Sequence, residues 1–202
     1  MNQQKVWDSI AEDWNKFRVK TIEEVKEFLK DKKGKVLDLG CGTGRNFMKI
    51  NGTIYGVDFS EEMIKHAKIN AKEKQIEAEF LISSLGNLIF EDNYFDSAIY
   101  IAALHCVVLK EERENSFKEL FRVLKPEGEA LITVWSKNHM KLINLPKDAT
   151  IEWKTKTEKL NRYYYIYDKE ELRKLLKNTG FKIVSINEDK KNIVAIVRKP
   201  IN

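Results

Sequence analysis

The sequence has little of what marks secreted, metal-binding or membrane-spanning proteins. Only two of its 202 residues are cysteines, Cys41 and Cys106, too few for a disulfide framework. No CxxC motif or His/Cys cluster predicts a metal site. The richest apolar stretch, residues 98–109, is shorter than the ~18 residues of a membrane span and contains a histidine. The first residues also lack the layout of a signal peptide, so we expect a cytoplasmic protein.

The composition indicates one soluble globular domain. Hydrophobic residues make up 43% of the chain and charged residues 33%, and no repeat or low-complexity linker divides residues 1–202. The net charge of +5 is mildly basic. A charge of this size permits a phosphate-rich partner without requiring one, because lysines mixed with glutamates on helix surfaces also explain it.

Apolar runs and amphipathic segments alternate along the chain. The patterns predict helices at 5–18, 21–31, 60–74, 110–125 and 168–180, and strands at 35–39, 53–58, 77–84, 95–101, 128–135, 181–186 and 192–199. Ser60 is a predicted N-cap, and Thr21 with Glu24 and Asp168 with Glu171 are predicted capping boxes. This order predicts an α/β fold with one doubly wound, mostly parallel seven-stranded sheet and an antiparallel C-terminal hairpin.

Two regions stand apart from this alternation. Residues 1–34 are predicted to form N-terminal helices before the first strand. Residues 136–167 are longer than most connections in a compact domain, so they are predicted to be either functional or disordered. This second region ends in "RYYYIYDKEEL", where four tyrosines fall within five positions. Alternating tyrosines also suit a β-strand, so packing is the alternative to ligand contact.

The segment "VLDLGCGTGRNF" (36–47) contains the most specific motif. Three glycines follow a buried strand and are predicted to open a helix, and they allow a ligand to approach the backbone closely. Arg45 stands where a dinucleotide-binding fingerprint has its third glycine. Asp58 ends the second strand, twenty residues after Asp38, where a carboxylate can accept hydrogen bonds from both ribose hydroxyls. The alternative is a tight strand-to-helix corner without a ligand.

Four segments together resemble the class I S-adenosylmethionine-dependent methyltransferases: "VLDLGCGTG", "GVDFSEEMI", "FDSAIYIAALH" and "LKPEGEALITVW". The resemblance implies that S-adenosyl-L-methionine is the cofactor and that Asp58 holds its ribose. Ser84 stands where the family usually has an aspartate that binds the adenine amine, and serine can also accept a hydrogen bond. The implied cofactor residues are Asp38, Gly40, Cys41, Gly42, Thr43, Gly44, Asp58, Phe59, Met63, Ser84, Leu85 and Ile101.

The residues after the fourth strand limit which chemical group can accept the methyl group. They read "AALHC" and lack the Asn/Asp-Pro-Pro-Tyr segment that serves exocyclic amines. Cys106 lacks the proline that precedes the nucleophile of pyrimidine carbon-5 methyltransferases, which favours a small buried side chain. A carboxylate acceptor is already ionised and needs positioning and a fixed positive charge, for which arginine is well suited.

The N-terminal "VWDSIAEDWNKFRVK" and the "RYYYIYDKEEL" segment make the chain most similar to the tRNA wobble-uridine carboxymethyl methyltransferases. The resemblance implies methylation of the carboxylate of 5-carboxymethyluridine in the tRNA anticodon loop. It also implies a small zinc-binding activator subunit, which we expect at the sheet edge near Glu77–Ser84, with neither DNA nor a membrane as partner. The expected catalytic residues are Arg18, His105 and Arg162, with His105 facing the cleft; the expected substrate-binding residues are Trp14, Trp135, Tyr163, Tyr164, Tyr165 and Tyr167.

Two alternatives stay open from the sequence. The same cofactor loop would serve a methyltransferase for a small molecule, with the tyrosine-rich segment 136–167 as a lid. A non-catalytic module that binds RNA or a protein partner on the same fold is the second alternative, although the complete glycine motif and Asp58 argue against it.

Overall fold

The structure is a computed structural model that describes residues 2–155 and 158–201; positions 156 and 157, inside the predicted insertion 136–167, lie outside them. The helices are α1 Gln3–Phe17, α2 Glu23–Leu29, α3 Glu61–Glu73, α4 Lys110–Val123 and α5 Lys169–Asn178. The strands are β1 Lys33–Leu39, β2 Asn51–Asp58, β3 Ala78–Ile82, β4 Phe95–Ile101, β5 Leu124–Trp135, β6 Asp148–Lys154, β7 Lys159–Tyr165, β8 Lys182–Glu188 and β9 Asn192–Arg198.

Seven strands form the central sheet in the order β3-β2-β1-β4-β5-β9-β8. The first five are parallel, and β9 runs antiparallel to both β5 and β8. The predicted fold class and C-terminal hairpin are therefore confirmed. The strand order reverses between β1 and β4, so the carboxyl ends of these strands flank the crevice where open α/β sheets bind ligands.

Helices cover both faces of the sheet because neighbouring residues of a buried strand point in opposite directions. Val36 of β1 packs in a cluster with Val25 of α2, while Leu37 packs in the main core with Phe117 of α4. All four side chains are fully buried. At roughly 25 cal/mol per Å² of buried apolar surface, this two-sided burial is the main stabilising contribution to the fold. No helix among the described residues is long and apolar enough to span a bilayer.

Two of the three predicted helix caps are confirmed. Ser60 Oγ accepts a hydrogen bond from Met63 N at 3.1 Å, and Asp168 Oδ1 accepts one from Glu171 N at 2.9 Å. The prediction for Thr21 is wrong. Helix α2 has Ile22 at its N-cap, and the Thr21 hydroxyl instead donates to the carbonyl oxygen of residue 45 at 2.9 Å, which ties the start of α2 to the glycine turn.

The segment 136–167 contains an antiparallel hairpin, β6–β7, that forms its own two-stranded sheet. Ile151 pairs with Arg162 and Trp153 pairs with Leu160, so these four side chains share one face. This hairpin was not predicted from the sequence. The apolar alternation in β6 is short, and consecutive tyrosines in β7 leave no visible alternation of polar and apolar residues.

Candidate active site

A glycine turn follows β1 at the switch point of the sheet. Gly40 and Gly44 have φ of +73° and Gly42 has φ of +53°, a region that L side chains rarely adopt. A Cβ on Gly40 would lie 2.3 Å from Ala103 Cβ. The helix predicted after these glycines is not formed, because positive φ at two of its first residues is incompatible with an α-helix. Residues 42–46 form only turns, with Phe47 N donating to Gly44 O at 3.1 Å.

Asp58 joins the end of β2 to the glycine turn. Its Oδ2 accepts from Gly42 N at 2.9 Å and its Oδ1 accepts from Ser60 N at 3.0 Å. Burial raises the pKa of Asp58 to about 6, although these backbone donors oppose the rise. Each carboxylate oxygen keeps a further lone pair, and Asp58 lines the cleft. Ribose hydroxyls can therefore donate to it without displacing the backbone contacts.

Asp38 is fully buried at the end of β1, and neither of its carboxylate oxygens has a hydrogen-bond partner among the described residues. Burial, reinforced by the negative charge of Asp58, raises the pKa of Asp38 to about 8, and the opposing charge of Arg45 is a smaller influence. An unpaired buried carboxylate is costly unless a cation meets it. The ammonium group of S-adenosylmethionine is such a cation, and the glycine turn begins two residues after Asp38.

The crevice beyond β1, β2 and β4 is a cleft with an empty volume of about 1140 Å³, counted to its open mouth. The structure brings most of the predicted cofactor residues together there: Gly40, Cys41, Gly42, Thr43, Asp58, Phe59, Met63, Ser84, Leu85 and Ile101 line it. Asp38 and Gly44 are not part of this lining, and a Cβ on Gly44 would meet the Phe47 ring at 2.7 Å. The residues present therefore fit the cofactor that the sequence motifs imply.

Helix α1 forms the opposite wall of the cleft. Gln3, Trp7 and Trp14 line it, together with Cys106 from the 3-10 turn Leu104–Cys106. The Gln3 Oε1 atom accepts from Tyr163 N at 2.9 Å. Further along the helix, Asp8 Oδ1 accepts from Ser60 Oγ at 2.6 Å. Helix α1 therefore bridges the β6–β7 hairpin and the N-terminus of α3, and closes the cleft between them.

Arg162 lies beside this wall, inside a cage of aromatic rings. Its guanidinium carbon is 4.7 Å from the centre of the Trp153 ring, 5.2 Å from Tyr164, 5.6 Å from Trp14 and 5.9 Å from Trp7. The side chain is 5% exposed. Its Nη1 donates to the Tyr164 hydroxyl at 2.7 Å, and its Nε is buried without a partner. Within the described part of the chain, no carboxylate forms an ion pair with this buried cation.

Two further arginines lie in or beside the cleft lining. The Arg18 guanidinium lies 5.1 Å from the Trp14 ring centre, and Arg45 lines the cleft. Burial lowers the pKa of Arg45, and the positive charge of Arg18 lowers it further. Among residues 2–155 and 158–201, neither pairs with a carboxylate. Arg45 in the cleft lining, and Arg18 and Arg162 beside it, thus form no ion pair with a carboxylate among the described residues, which favours an anionic ligand.

His105 lies behind the cleft rather than facing it, which corrects its expected position. It is 1% exposed, stacks on the Tyr164 ring at 5.2 Å, and accepts from Trp135 N through Nδ1 at 3.3 Å. Burial, with a further contribution from the charge of Arg162, lowers the pKa of His105 to about 3. The imidazole is therefore neutral at physiological pH and supports Tyr164. Trp135 is half-buried and stacks on the other rings, 4.8 Å from Tyr164.

The four tyrosines of 163–167 do not form one surface, which corrects the prediction of a single cluster. Tyr164 faces Arg162, while the strand alternation turns Tyr163 and Tyr165 to the opposite side. Tyr163 bonds Asp148, and Tyr165 donates to Glu171 of α5. Tyr167, 1% exposed, packs in the main core. Of the four, only Tyr164 contacts the Arg162 cage.

The thiol of Cys106 is not activated. It lines the cleft, but burial raises the pKa of Cys106 to about 12, so the thiol stays protonated. Its Sγ lies 3.9 Å from the Ala102 carbonyl oxygen. In the described ranges no group of three or more His, Cys, Asp or Glu side chains is arranged to hold a metal ion. Cys106 therefore does not supply an activated nucleophile.

Three residues of this site were missed by the sequence analysis. Arg45 was read only as a departure from a glycine motif, although it directly follows the turn. Trp153 and Gln3 carried no motif. The alternation of "ATIEW" could have indicated a strand with Trp153 on the Ile151 face, but its contact with Arg162 depends on the hairpin register.

Comparisons with known proteins agree with this geometry. Residues 30–193 match the family described as a methyltransferase domain. The tRNA (carboxymethyluridine(34)-5-O)-methyltransferase of Schizosaccharomyces pombe is 28% identical, in an alignment that covers 96% of this chain and 95% of that protein. The Arabidopsis thaliana protein of the same name is 32% identical over 65% of this chain. The chain spans only 32% of the length of that protein.

The fold is shared with solved structures. A chain in the complex between the Haloferax volcanii Trm112 methyltransferase activator and a methyltransferase superposes with a TM-score of 0.73 at 15% identity, covering 100% of this chain and 97% of that chain. The sheet order, the cleft beyond β1, β2 and β4, and the family match lead to one conclusion. The chain belongs to the methyltransferase domain family and is a class I S-adenosylmethionine-dependent methyltransferase.

Proposed function

We propose that the enzyme transfers a methyl group to the carboxylate of 5-carboxymethyluridine at the tRNA wobble position, which gives the methyl ester. The observation that carries this proposal is the buried Arg162 guanidinium, which has neither an acidic partner nor a hydrogen-bond partner for its Nε among residues 2–155 and 158–201. A buried charge without a counter-ion is strongly unfavourable, and a carboxylate meets a guanidinium with two hydrogen bonds. Two rings of the Arg162 cage, Trp7 and Trp14, also line the cofactor cleft.

The chemistry of a carboxylate acceptor suits the other residues of the site. S-adenosylmethionine, when bound, supplies a methyl group on a positively charged sulfur. Methyl transfer to a carboxylate oxygen would break the methyl–sulfur bond, leave a neutral thioether and remove no proton from the acceptor, so the protein needs no general base. His105 with its lowered pKa and Cys106 with its raised pKa supply neither a charged acid nor a nucleophile. The protein contributes orientation, exclusion of water and the positive charge of its arginines.

The relatives support tRNA as the source of the carboxylate. The Schizosaccharomyces pombe and Arabidopsis thaliana proteins are both named for methylation of carboxymethyluridine 34. An unstacked anticodon base is recognised by stacking on aromatic rings and by hydrogen bonds to its edges. Trp14 lines the cleft, and Phe17 at the end of α1 is 72% exposed beside Trp153. We assign the base-stacking role to these rings and place the reaction in the cytoplasm.

We also propose that an activator subunit covers the β3 edge of the sheet. Strand β3 ends the seven-stranded sheet, so one side of its backbone is available for pairing. Ile82 is 47% exposed on this strand and Ile89 is 76% exposed just after it. A structural neighbour was solved in complex with the Trm112 methyltransferase activator. The expected partner therefore binds near Glu77–Ser84, as the sequence predicts, and is a small zinc-binding subunit.

The test is a methyl-transfer assay with the purified chain, S-adenosylmethionine and tRNA that carries 5-carboxymethyluridine. Parallel reactions contain the chain alone, the chain with the activator subunit, and small carboxylic acids in place of tRNA. Transfer to the wobble uridine supports the proposal, and a difference between the first two reactions measures the dependence on the partner. Transfer to a small acid but not to tRNA would overturn it and make the enzyme a small-molecule methyltransferase.

A further inference from the structure

Two tryptophans beside Arg162 carry buried donors without partners. The indole Nε1 atoms of Trp7 and Trp153 have no hydrogen-bond partner in the described part of the chain, and the same holds for Arg162 Nε. Most buried polar groups in native proteins are hydrogen-bonded, so three unpaired donors in one neighbourhood require an explanation. An indole nitrogen and a guanidinium nitrogen can only donate. The missing partner is therefore a group that accepts.

The three donors belong to one cluster that reaches the cleft. The rings of Trp7 and Trp14 are 5.2 Å apart, and those of Trp14 and Trp153 are 5.6 Å apart. The Arg162 guanidinium carbon lies 4.7 Å from the Trp153 ring centre. Trp7 and Trp14 also line the cofactor cleft. A ligand that meets these donors would consequently lie next to the bound cofactor.

The nearby acceptors of the protein are already used. The Gln3 side chain accepts from Tyr163 N and donates to the Asn161 carbonyl oxygen at 3.4 Å, so both ends of its amide are occupied. The Tyr164 hydroxyl accepts from Arg162 Nη1. Among the described residues of this wall, the buried side-chain atoms without a partner are all donors, while the cleft-lining buried acceptors without a partner, Thr43 Oγ1 and Asn46 Oδ1, lie on the glycine-turn side of the cleft. Such a site can bind an oxygen-rich anion, because every oxygen can accept. An N–H group of a ligand would find no acceptor among these donors.

We propose that Trp7 and Trp153 determine the specificity of the enzyme for a carboxylate over the corresponding carboxamide. With Arg162 Nε, their indole N–H groups hold the two oxygens of the acceptor. A carboxylate has about four lone-pair positions and no donor. A carboxamide would instead point its two N–H donors at the N–H groups of Trp7, Trp153 and Arg162. This inference rests on the proposed function and names the residues that would read the acceptor group. It makes 5-carboxymethyluridine a ligand and 5-carbamoylmethyluridine a poor one.

The first experiment observes the donors directly. The chain has four tryptophans, so a protein labelled with ¹⁵N gives four indole N–H signals, assigned with the variants Trp7→Phe and Trp153→Phe. The probe is an anticodon stem-loop RNA bearing 5-carboxymethyluridine, added with S-adenosylhomocysteine so that no turnover occurs. We expect the Trp7 and Trp153 indole protons to move downfield with the acid. They should not do so with the 5-carbamoylmethyl RNA. Unchanged indole signals with bound acid would overturn the inference.

The second experiment measures selectivity. Phenylalanine keeps an aromatic ring but deletes the donor, so Trp7→Phe and Trp153→Phe should each weaken binding of the acid RNA by roughly tenfold. The affinity for the amide RNA should stay within about threefold of the wild-type value. Binding of S-adenosylhomocysteine confirms that each variant is folded. An equal loss for acid and amide would overturn the specificity role.

These results separate the two proposals. If the wild-type chain methylates carboxymethyluridine while the indole signals stay fixed, the proposed function stands and the role of Trp7 and Trp153 is wrong. If the acid RNA is neither bound nor methylated, with the activator subunit present, both proposals are overturned.

Discussion

Arg162 Nη1 donates to the Tyr164 hydroxyl at 2.7 Å, and the Tyr164 ring stacks on His105, which is itself fixed by Trp135 N. This chain of contacts holds a buried guanidinium in one orientation with its Nε unsatisfied. A preorganised donor of this kind loses little entropy when it meets an anion, because its rotamer is already fixed. The relationship between Arg162 and Tyr164 is therefore the structural basis of the proposed acceptor site.

Replacing Arg162 should abolish turnover without affecting the cofactor. We expect Arg162→Ala to lower kcat/KM by at least about 100-fold, because a charged hydrogen bond and the counter-ion of the acceptor are both lost. Affinity for S-adenosylmethionine, measured by calorimetry, should stay within about twofold. Arg173→Ala is the matched control, since Arg173 forms an i,i+3 pair with Glu170 on α5. A kcat/KM for Arg162→Ala equal to that of Arg173→Ala would contradict the role of Arg162 in holding the acceptor.

The two faces of β7 should respond differently to loss of a hydroxyl. Tyr164→Phe removes the acceptor of Arg162 Nη1, so we expect kcat/KM to fall about tenfold. Tyr165→Phe removes a contact with Glu171 on the opposite face and should lower the melting temperature while leaving kcat/KM unchanged. Steady-state kinetics and thermal melts of both variants provide the measurement. Equal losses of activity would show that the tyrosines act as one surface after all.

Cofactor binding should release a proton from Asp38. Its pKa of about 8 means that the carboxyl group is mostly protonated at pH 7 in the free protein. Pairing with the ammonium group of the cofactor favours the ionised form, so the proton leaves on binding and affinity rises as the pH increases from about 6 to 8. Calorimetry in two buffers of different ionisation enthalpy measures the release. Binding without proton release at pH 7 would argue against this pairing.

The glycine turn offers a matched pair of substitutions. Both Gly40→Ala and Gly42→Ala place a side chain at positive φ, which costs about 1–2 kcal/mol. Only at Gly40 does the new Cβ also meet a close neighbour, Ala103 Cβ at 2.3 Å; at Gly42 the nearest atom is 3.8 Å away. Gly40→Ala should therefore lose more stability in urea unfolding. Gly42→Ala should weaken cofactor binding, because its Cβ would enter the cleft. The reverse order of stabilities would contradict the geometry of the turn.

His105 should make the protein sensitive to acid. Its folded-state pKa of about 3 lies below the ~6.5 of an unfolded histidine, so the unfolded chain binds an extra proton between these values. Stability from this group is complete above pH 6.5 and is lost as the pH falls towards 3. The free energy of unfolding should fall between pH 7.5 and 4.5 by about 2–3 kcal/mol less in His105→Phe than in the wild type, as measured by urea unfolding. Identical pH profiles would show that His105 is not buried as a neutral group.

The sequence predicted the sheet and the cofactor side of the cleft because those features are local. A buried run, a glycine turn and an acid at the end of the next strand determine where Asp58 and Gly42 lie. The acceptor side of the cleft is built from residues that lie far apart in the sequence. Trp153 and Arg162 are brought together by a hairpin register, and Arg162 meets Trp7 across more than 150 residues of chain. Four tyrosines within five positions suggested one surface, but strand alternation divided them, and no composition argument could assign their faces.

The measurement that tests the central claim most directly uses S-adenosylmethionine with a deuterated methyl group and tRNA bearing 5-carboxymethyluridine. After digestion, mass spectrometry of the nucleosides should show the wobble uridine heavier by one deuterated methyl. Mild alkali should return it to the acid, because a methyl ester hydrolyses under these conditions. A deuterated methyl that survives alkali, or transfer to another nucleoside, would contradict a carboxylate held by Arg162 as the acceptor.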